Sequence, residues 1–282
     1  MKNIFFLIFI GFTSLCAQET VQDTSYWNKK GKFTLLANQS SFNNWLAGGQ
    51  NNIAVNANVN YDFNYKKDKN TWQNKLIVAY GITKVKDANI LKSDDRLEWN
   101  SIYGRQASGN WYYSAFLNFK SQISTDLGNP APGYTLPVTT KLFAPAFLQI
   151  GPGMLWKKSD NLKVNFAPAT SRFVFVLDDA LSSVGAFGVT PGEKLRYELG
   201  ASISGYYKFV LVENVTIENI LNLYSNYLEK PENVDMDYQL NIAMKINKFL
   251  SANLAFQAIY DDNAFRGLQT RQVFGVGFNY DF

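Results

Sequence analysis

The chain has no histidine, and its one cysteine, Cys16, stands close to the N-terminus. Without histidine, neither a Ser-His nor an Asp-His nucleophile arrangement can form. Without histidine or a later cysteine, a zinc site would need an all-carboxylate shell, which is uncommon. The sequence carries neither a Walker-type phosphate loop nor a dinucleotide fingerprint. No cofactor, metal site or catalytic residue is therefore expected. No segment approaches ~18 uninterrupted apolar residues, so a membrane-spanning helix is excluded. Charge of one sign is also missing: the formal net charge is +4, too small to argue for nucleic acid as a partner.

What is present is alternation. Hydrophobic residues make up 46% of the chain and aromatic residues 16%, yet they fall in short runs with every second position polar or small. Side chains alternate faces along a strand, so each such run has one apolar face and one polar face. In 53–66, Ile53, Val55, Ala57, Val59, Tyr61, Phe63 and Tyr65 oppose Asn56, Asn58, Asn60, Asp62 and Asn64. In 234–247, Val234, Met236, Tyr238, Leu240, Ile242, Met244 and Ile246 oppose Asp235, Asp237, Gln239, Asn241, Lys245 and Asn247. A helix would mix these faces, because its period is 3.6. Soluble sheets hide an aromatic face under a second layer, whereas a transmembrane barrel turns it to lipid. The final run does the same, with Phe274, Val276, Phe278, Tyr280 and Phe282 on one face. Phe278, Tyr280 and the terminal Phe282 form the candidate signal to the outer-membrane assembly machinery.

The pattern predicts one antiparallel outer-membrane β-barrel of about twelve strands with both termini periplasmic. The strands fall near 32–41, 53–66, 71–85, 92–106, 111–125, 143–157, 162–177, 194–209, 214–229, 234–247, 250–261 and 268–282. Short connections alternate with longer ones such as Asp126–Leu142 and Asp178–Glu193. Short turns belong on the periplasmic side and long loops outside. Tyr65, Trp72, Trp111, Trp156, Phe209 and Phe282 fall at the short-turn ends, where rings favour the membrane interface. Lys2 followed by the apolar run Ile4–Phe12 reads as a secretory leader with cleavage after Ala17. Cys16 belongs to that leader, because Leu15 occupies the place where a small residue precedes a lipidated cysteine. The organisation expected is a leader at 1–17, a short periplasmic segment at 18–31 and the barrel at 32–282.

The stretch from Asn38 through Phe42, Asn43, Asn44, Trp45, Leu46 and Ala47 to Gly48 and Gly49 is distinctive. So are Trp72-Gln73-Asn74-Lys75-Leu76, Tyr80-Gly81 and Lys92-Ser93-Asp94-Asp95-Arg96. Together they resemble a domain-of-unknown-function family of predicted Bacteroidota outer-membrane barrels, most strongly over 31–125. The resemblance implies a cell-envelope address and a barrel, and supplies no activity. Phe42 to Gly49 would be the first outer loop, with Gly48 and Gly49 free to turn sharply. Phe42 and Trp45 could pack on the loop itself, cap the mouth, fold into the lumen or meet an envelope partner.

Charges of both signs alternate onto the inward face. Arg96 with Glu98 and Arg196 with Glu198 point inward in pairs, and Lys75, Lys120, Lys208, Glu218, Lys245 and Arg271 join them. A selectivity filter would favour one sign, so mixed charge fits salt bridges across a filled lumen better than a filter. The adjacent carboxylates Asp94-Asp95, Asp178-Asp179 and Asp261-Asp262 could hold Ca²⁺ or the cations around lipopolysaccharide, but such pairs are more often simply solvated. Pro152, between Gly151 and Gly153, falls opposite Pro168 on the next strand. Each proline lacks the N–H of the strand ladder, so a wall break is expected there, nearer the periplasmic end, as a sealed bulge or a lateral gate. The function expected is passive passage of a small solute. The alternative is a non-conducting structural or accessory subunit of a larger outer-membrane assembly, with a barrel enzyme third. The partners expected are outer-membrane lipid, lipopolysaccharide and the assembly machinery, with an envelope protein as a further candidate.

Overall fold

The computed structural model describes residues 26–41, 50–125 and 140–282. The expected leader at 1–17 and the loop residues Phe42, Trp45, Gly48 and Gly49 lie outside the described residues. Twelve strands form the wall: β1 (Trp27–Ser40), β2 (Asn52–Lys67), β3 (Asn70–Val85), β4 (Ile90–Ser108), β5 (Trp111–Ser121), β6 (Ala146–Ser159), β7 (Leu162–Phe175), β8 (Leu195–Val212), β9 (Val215–Asn226), β10 (Val234–Lys245), β11 (Leu250–Asp261) and β12 (Phe265–Asp281). Each strand pairs antiparallel with its sequence neighbours, and β1 closes on β12, so the wall is a closed barrel.

The alternation of β2 sets the faces as the sequence predicts. Ile53 is exposed on the outer surface, while Asp62 and Asn64 line the interior. Exposed apolar side chains recur around the whole exterior, among them Ile150, Phe166, Tyr197, Ile203, Leu268 and Phe274. Water would penalise such a surface, and lipid does not. The barrel is accordingly an outer-membrane-type barrel.

The two ends differ in their connections. At one end, Asp68, Gly109 and Asn214 take left-handed backbone angles with φ of 51°, 53° and 65°. These conformations let two antiparallel strands reverse within a few residues. At the other end, the connections include the long 122–145 and 176–194. Two connections on that side are nevertheless tight, at 86–89 and 262–264. In the second, the Asp261 carboxylate accepts the backbone N–H groups of Asn263 (3.1 Å) and Ala264 (3.2 Å).

The wall begins earlier than expected, at Trp27 rather than Lys32, because Trp27 pairs with Tyr65 across β1 and β2. Its ring lies 5.3 Å from that of Tyr65 and 5.8 Å from that of Trp72. Strand β5 stops at Ser121, short of the expected 125, and β6 starts at Ala146 rather than 143. The Ser121 hydroxyl accepts Phe143 N–H (3.1 Å) and donates to Pro145 O (3.2 Å). Asp95 takes the N–H groups of Ile123 (2.7 Å) and Ser124 (3.1 Å), so side chains satisfy the backbone where the ladder ends.

The seam between β12 and β1 is held at the short-turn end. Gly31 and Phe282 exchange both backbone hydrogen bonds, at 2.6 and 2.9 Å. The Phe282 ring lies over Gly31, in space that a side chain at that position would fill. Phe282 also stacks on Tyr280 (6.0 Å) and Tyr61 (6.3 Å), and Phe278 stacks on Phe249 (5.9 Å). Phe278, Tyr280 and Phe282 all project outward from the wall.

Candidate functional site

The lumen divides by height. Twelve strands put β3 opposite β9 and β4 opposite β10. Lys75 on β3 nevertheless reaches Glu218 on β9 directly, at 3.2 Å. Arg96 on β4 donates to Gln239 on β10 at 2.9 Å and pairs with Glu98 at 2.9 Å. Lys120 pairs with Asp237, and Gln257 donates to the other oxygen of Asp237 at 2.9 Å. Of these contacts, Lys75–Glu218, Arg96–Gln239 and Lys120–Asp237 reach across the lumen. Glu98 and Glu198 are almost completely buried, and each has cationic partners, as buried carboxylates require.

Toward the long-loop end the network becomes denser. Arg172 on β7 pairs with Asp235, with Asp261 (2.7 Å) and with Glu198 (3.7 Å). Its guanidinium also sits 5.4 Å from the Phe147 ring and 5.2 Å from the Tyr224 ring. Arg196 pairs with Glu198 (2.8 Å) and Glu229 (3.7 Å), and Arg271 pairs with Asp94. Lys245 is exposed on the inward face near the short-turn end, with no ion-pair partner among the described residues.

A connection folds over this network. Residues 176–194 carry a short helix, α1 (Asp179–Ser183), and a helical turn at Ala186–Gly188. Ala144, Val174, Val176, Leu181, Ala186 and Val189 form one buried apolar cluster with Phe147 and Phe187 packed against it. Asp178 caps α1 by accepting Leu181 N–H (3.0 Å) and pairs with Lys141 (2.6 Å). Lys141's hydrogen bond holds the Asp178 carboxyl below the usual carboxylate range. Lys194 pairs with Asp179 at 2.7 Å, which raises the lysine above its ordinary value. Gly188, at φ 76°, lies against the Arg196 guanidinium and beside Asn263 of the β11–β12 connection. The segment thus spans from the β7–β8 side of the mouth to the β11–β12 side.

Around the Lys75–Glu218 contact, and on the short-turn side of the Arg96 and Lys120 contacts, the lumen opens into a chamber of about 500 Å³ that reaches the short-turn rim at Lys66, Asp160 and Asn161. Amides dominate its wall, including Asn64, Asn100, Asn118, Asn165 and Asn222. Lys157 pairs with Asp160 at the rim (2.8 Å), and its hydrogen bond lowers the Asp160 carboxyl.

The acidic pairs of the sequence are engaged by protein groups. Asp94 meets Arg271, Asp95 meets Lys92 (2.8 Å), and Asp178 and Asp179 serve the loop as described. Asp262 accepts from Asn233 at 2.5 Å. Asp235, Asp261 and Asp262 do converge, with carboxylate oxygens within 4.8 Å of one another. Arg172 already neutralises two of the three.

The prolines lie at an interruption of the wall. Pairing of β6 with β7 runs to Ile150↔Ser171 and resumes at Met154↔Phe166. On its other side Pro152 pairs with Ala115 in continuous register, so its missing N–H faces β7. The interruption lies near the middle of both strands, not toward the short-turn end, because β7 needs an extra residue at Pro168-Ala169. The strands are close there. A Cβ on Gly151 would stand 2.7 Å from Ala169 O, and one on Gly153 would stand 2.5 Å from Phe166 O. Freed carbonyls have partners: Thr170 Oγ1 donates to Ala167 O (3.0 Å) and Tyr227 Oη to Pro168 O (3.1 Å). Those contacts describe a packed bulge.

The bulge also explains why simple alternation misses Arg172. Asn165 and Ala167 are buried on the inward face, and Pro168 and Ala169 are both exposed. Thr170, Arg172 and Val174 are then buried, so the inward parity changes from odd to even within one strand. Unbroken alternation would aim Arg172 at lipid. Lys163, on the inward face before the bulge, was also missed. An arginine flanked by apolar residues in an otherwise lipid-facing row is the signal that could have revealed the shift.

Comparison with known proteins adds the following. The family described as "Protein of unknown function (DUF3078)" matches residues 37–126, which is less than half of the chain. No curated protein matches the sequence. Among solved structures, the COG4313 outer membrane channel from Pseudomonas putida F1 is similar at 8% identity and a TM-score of 0.41, covering 91% of this chain and 95% of that one. The translocator domain of the autotransporter NalP from Neisseria meningitidis is similar at 8% identity and 0.35, covering 93% and 90%. The outer membrane channel DcaP of Acinetobacter baumannii is similar at 8% and 0.35, covering 91% and 97%. At such identities and scores the barrel assignment here rests on the strand pairing itself.

Proposed function

We propose that this protein is an outer-membrane barrel whose lumen is held shut at rest, and that it serves the envelope as a non-conducting binding or accessory barrel. The observation that carries this reading is the direct contact of opposite walls, Lys75 with Glu218 at 3.2 Å and Arg96 with Gln239 at 2.9 Å. Ions cross a pore through water, and these side chains occupy the place where that water would run. The cover formed by residues 176–194 supports the same reading. In this orientation the short turns and the chamber face the periplasm, the long loops face outward toward lipopolysaccharide, and no catalytic step is assigned. Phe278, Tyr280 and Phe282 would present the assembly machinery with the outward aromatic face of the last strand.

Recording from single molecules in a planar bilayer tests the proposal. The unaltered protein should be silent, and the double variant Lys75→Ala with Glu218→Ala should remain folded and show small, weakly selective openings. Steady conductance in the unaltered protein would overturn the reading. A second reading, gated passage of a small polar solute, draws support from the polar chamber that Lys75 and Glu218 help to line. It expects brief openings in the unaltered protein that become frequent when the Lys75–Glu218 contact is removed.

A further inference from the structure

We propose that the chamber is a binding site for a small polyhydroxylated anion, a sugar phosphate or sugar acid of mono- or disaccharide size, entered from the short-turn side. The assignment rests on the reading of a shut lumen, because a dead-end chamber holds a ligand and an open pore passes it. At about 500 Å³ the chamber lies within the ~300–1,000 Å³ typical of small-molecule pockets.

Its charge favours an anion. Lysines outnumber carboxylates in the lining six to three. Two of those carboxylates are already engaged. Glu218 accepts from Lys75 (3.2 Å), Tyr206 Oη (2.8 Å) and Asn241 (3.1 Å), while Asp160 accepts from Lys157 and Gln73. Lys163 has no carboxylate within ion-pair distance among the described residues. It donates to Gln73 Oε1 at 2.7 Å and lies 5.0 Å from the centre of the Tyr206 ring. An ammonium has three donors and no acceptor, so Lys163 retains donor capacity for an anionic oxygen. Lys208, also in the lining, likewise lacks an ion-pair partner among the described residues.

Its hydrogen-bonding groups favour hydroxyls. Asn74 is 1% exposed and lines the chamber. Its amide nitrogen donates to Phe63 O at 3.1 Å, but its Oδ1 has no partner among the described residues. A buried acceptor without a donor is unfavourable, and a ligand hydroxyl turned toward it would satisfy it. The surrounding amides each offer donors and an acceptor, the combination a polyol needs. One side of the chamber is apolar, formed by Ile102, Phe116 and Leu155. The C–H face of a pyranose ring can lie on such a wall while its hydroxyls meet the amides. Cation, acceptor and apolar wall together specify a charged sugar better than a simple ion.

Titration calorimetry on the full mature protein, folded in detergent, tests the assignment with glucose 6-phosphate, glucose and inorganic phosphate as probes. Glucose 6-phosphate should bind with Kd below about 1 mM, and glucose and inorganic phosphate each at least ~10-fold more weakly. Lys163→Met and Asn74→Leu should each weaken glucose 6-phosphate ~10-fold or more, while Lys194→Met on the exposed loop should change nothing. The comparison of the three probes on unaltered protein needs no variant and survives a folding failure. No binding of glucose 6-phosphate, equal binding of inorganic phosphate, or unchanged binding in folded Lys163→Met would each overturn the proposal. Conductance is read separately, so a protein that conducts yet binds would sink the shut-lumen reading alone.

Discussion

The two halves of the lumen solve the same problem differently. Both are built from inward-facing polar residues of the same strands. Toward the long loops, cations and carboxylates meet directly, and Arg172 alone contacts three carboxylates. Toward the short turns, amides and lysines line a chamber, and Lys163 and Lys208 lack carboxylate partners among the described residues. Balanced charge contracts a lumen because each group is solvated by its neighbour. Unbalanced charge and neutral amides keep it open, since water or a ligand must do that work. The difference predicts that the loop half supplies stability and the turn half tolerates change.

The strongest way to break this comparison is to reverse the charge of Arg172. Arg172→Glu sets a further carboxylate among Asp235, Asp261 and Glu198 and removes the cation they share. Losing one partner of a buried ion pair costs about 3–5 kcal/mol, and like charges held together add to that cost. The expected outcome is loss of the folded barrel, checked by loss of the heat-modifiable band on electrophoresis. A folded Arg172→Glu variant would show that this network is not what holds the loop half together.

Next in size is the contrast between two inward-facing cations. Arg172→Ala leaves Asp235, Asp261 and Glu198 without their shared partner and should cost about 3–5 kcal/mol. Lys163→Ala removes a cation that neutralises no carboxylate and should cost less than about 1 kcal/mol. Urea unfolding followed by tryptophan fluorescence measures both. Similar losses for the two would erase the distinction between the halves.

A smaller effect is expected at the bulge. Gly151→Val places atoms against Ala169 O and the Thr170 backbone, and overpacking of this kind costs about 1–3 kcal/mol. The equivalent change at Gly205, which has open space around it, should be nearly silent in the same unfolding assay.

The smallest effect concerns the cover. Lys141 holds the folded-state Asp178 carboxyl below its ordinary value of 3.8. A depressed carboxylate contributes stability above the unfolded value, and the contribution disappears as pH falls through the folded one. Proteolytic cutting within 178–193 should therefore rise as pH drops below about 4, read with an acid-active protease. Asp178→Asn should cut readily at neutral pH and lose that acid dependence.

Much of this architecture was legible before any coordinates. Period-two patterning placed the strands, and the alternation of β2 set which side meets lipid, because burial in a barrel wall is decided residue by residue. The prolines announced the interruption between β6 and β7, since a missing N–H is a property of the residue alone. Arg96, Glu98, Arg196 and Glu198 could be named as inward for the same reason: no irregularity intervenes between them and the neighbours that set their face.

Other features depended on what closure brings together. Arg172 faces inward only because β7 gains a residue at Pro168-Ala169, and alternation carries no record of a bulge's length. Lys75 and Glu218 are 143 positions apart, and nothing local to either identifies the other. Their contact follows from the curvature that puts β3 opposite β9. The division of the lumen into a braced half and an open chamber has the same origin. Sequence determined which side chains point inward through the pleat of each strand, and the closed wall decided which of them are near enough to neutralise one another.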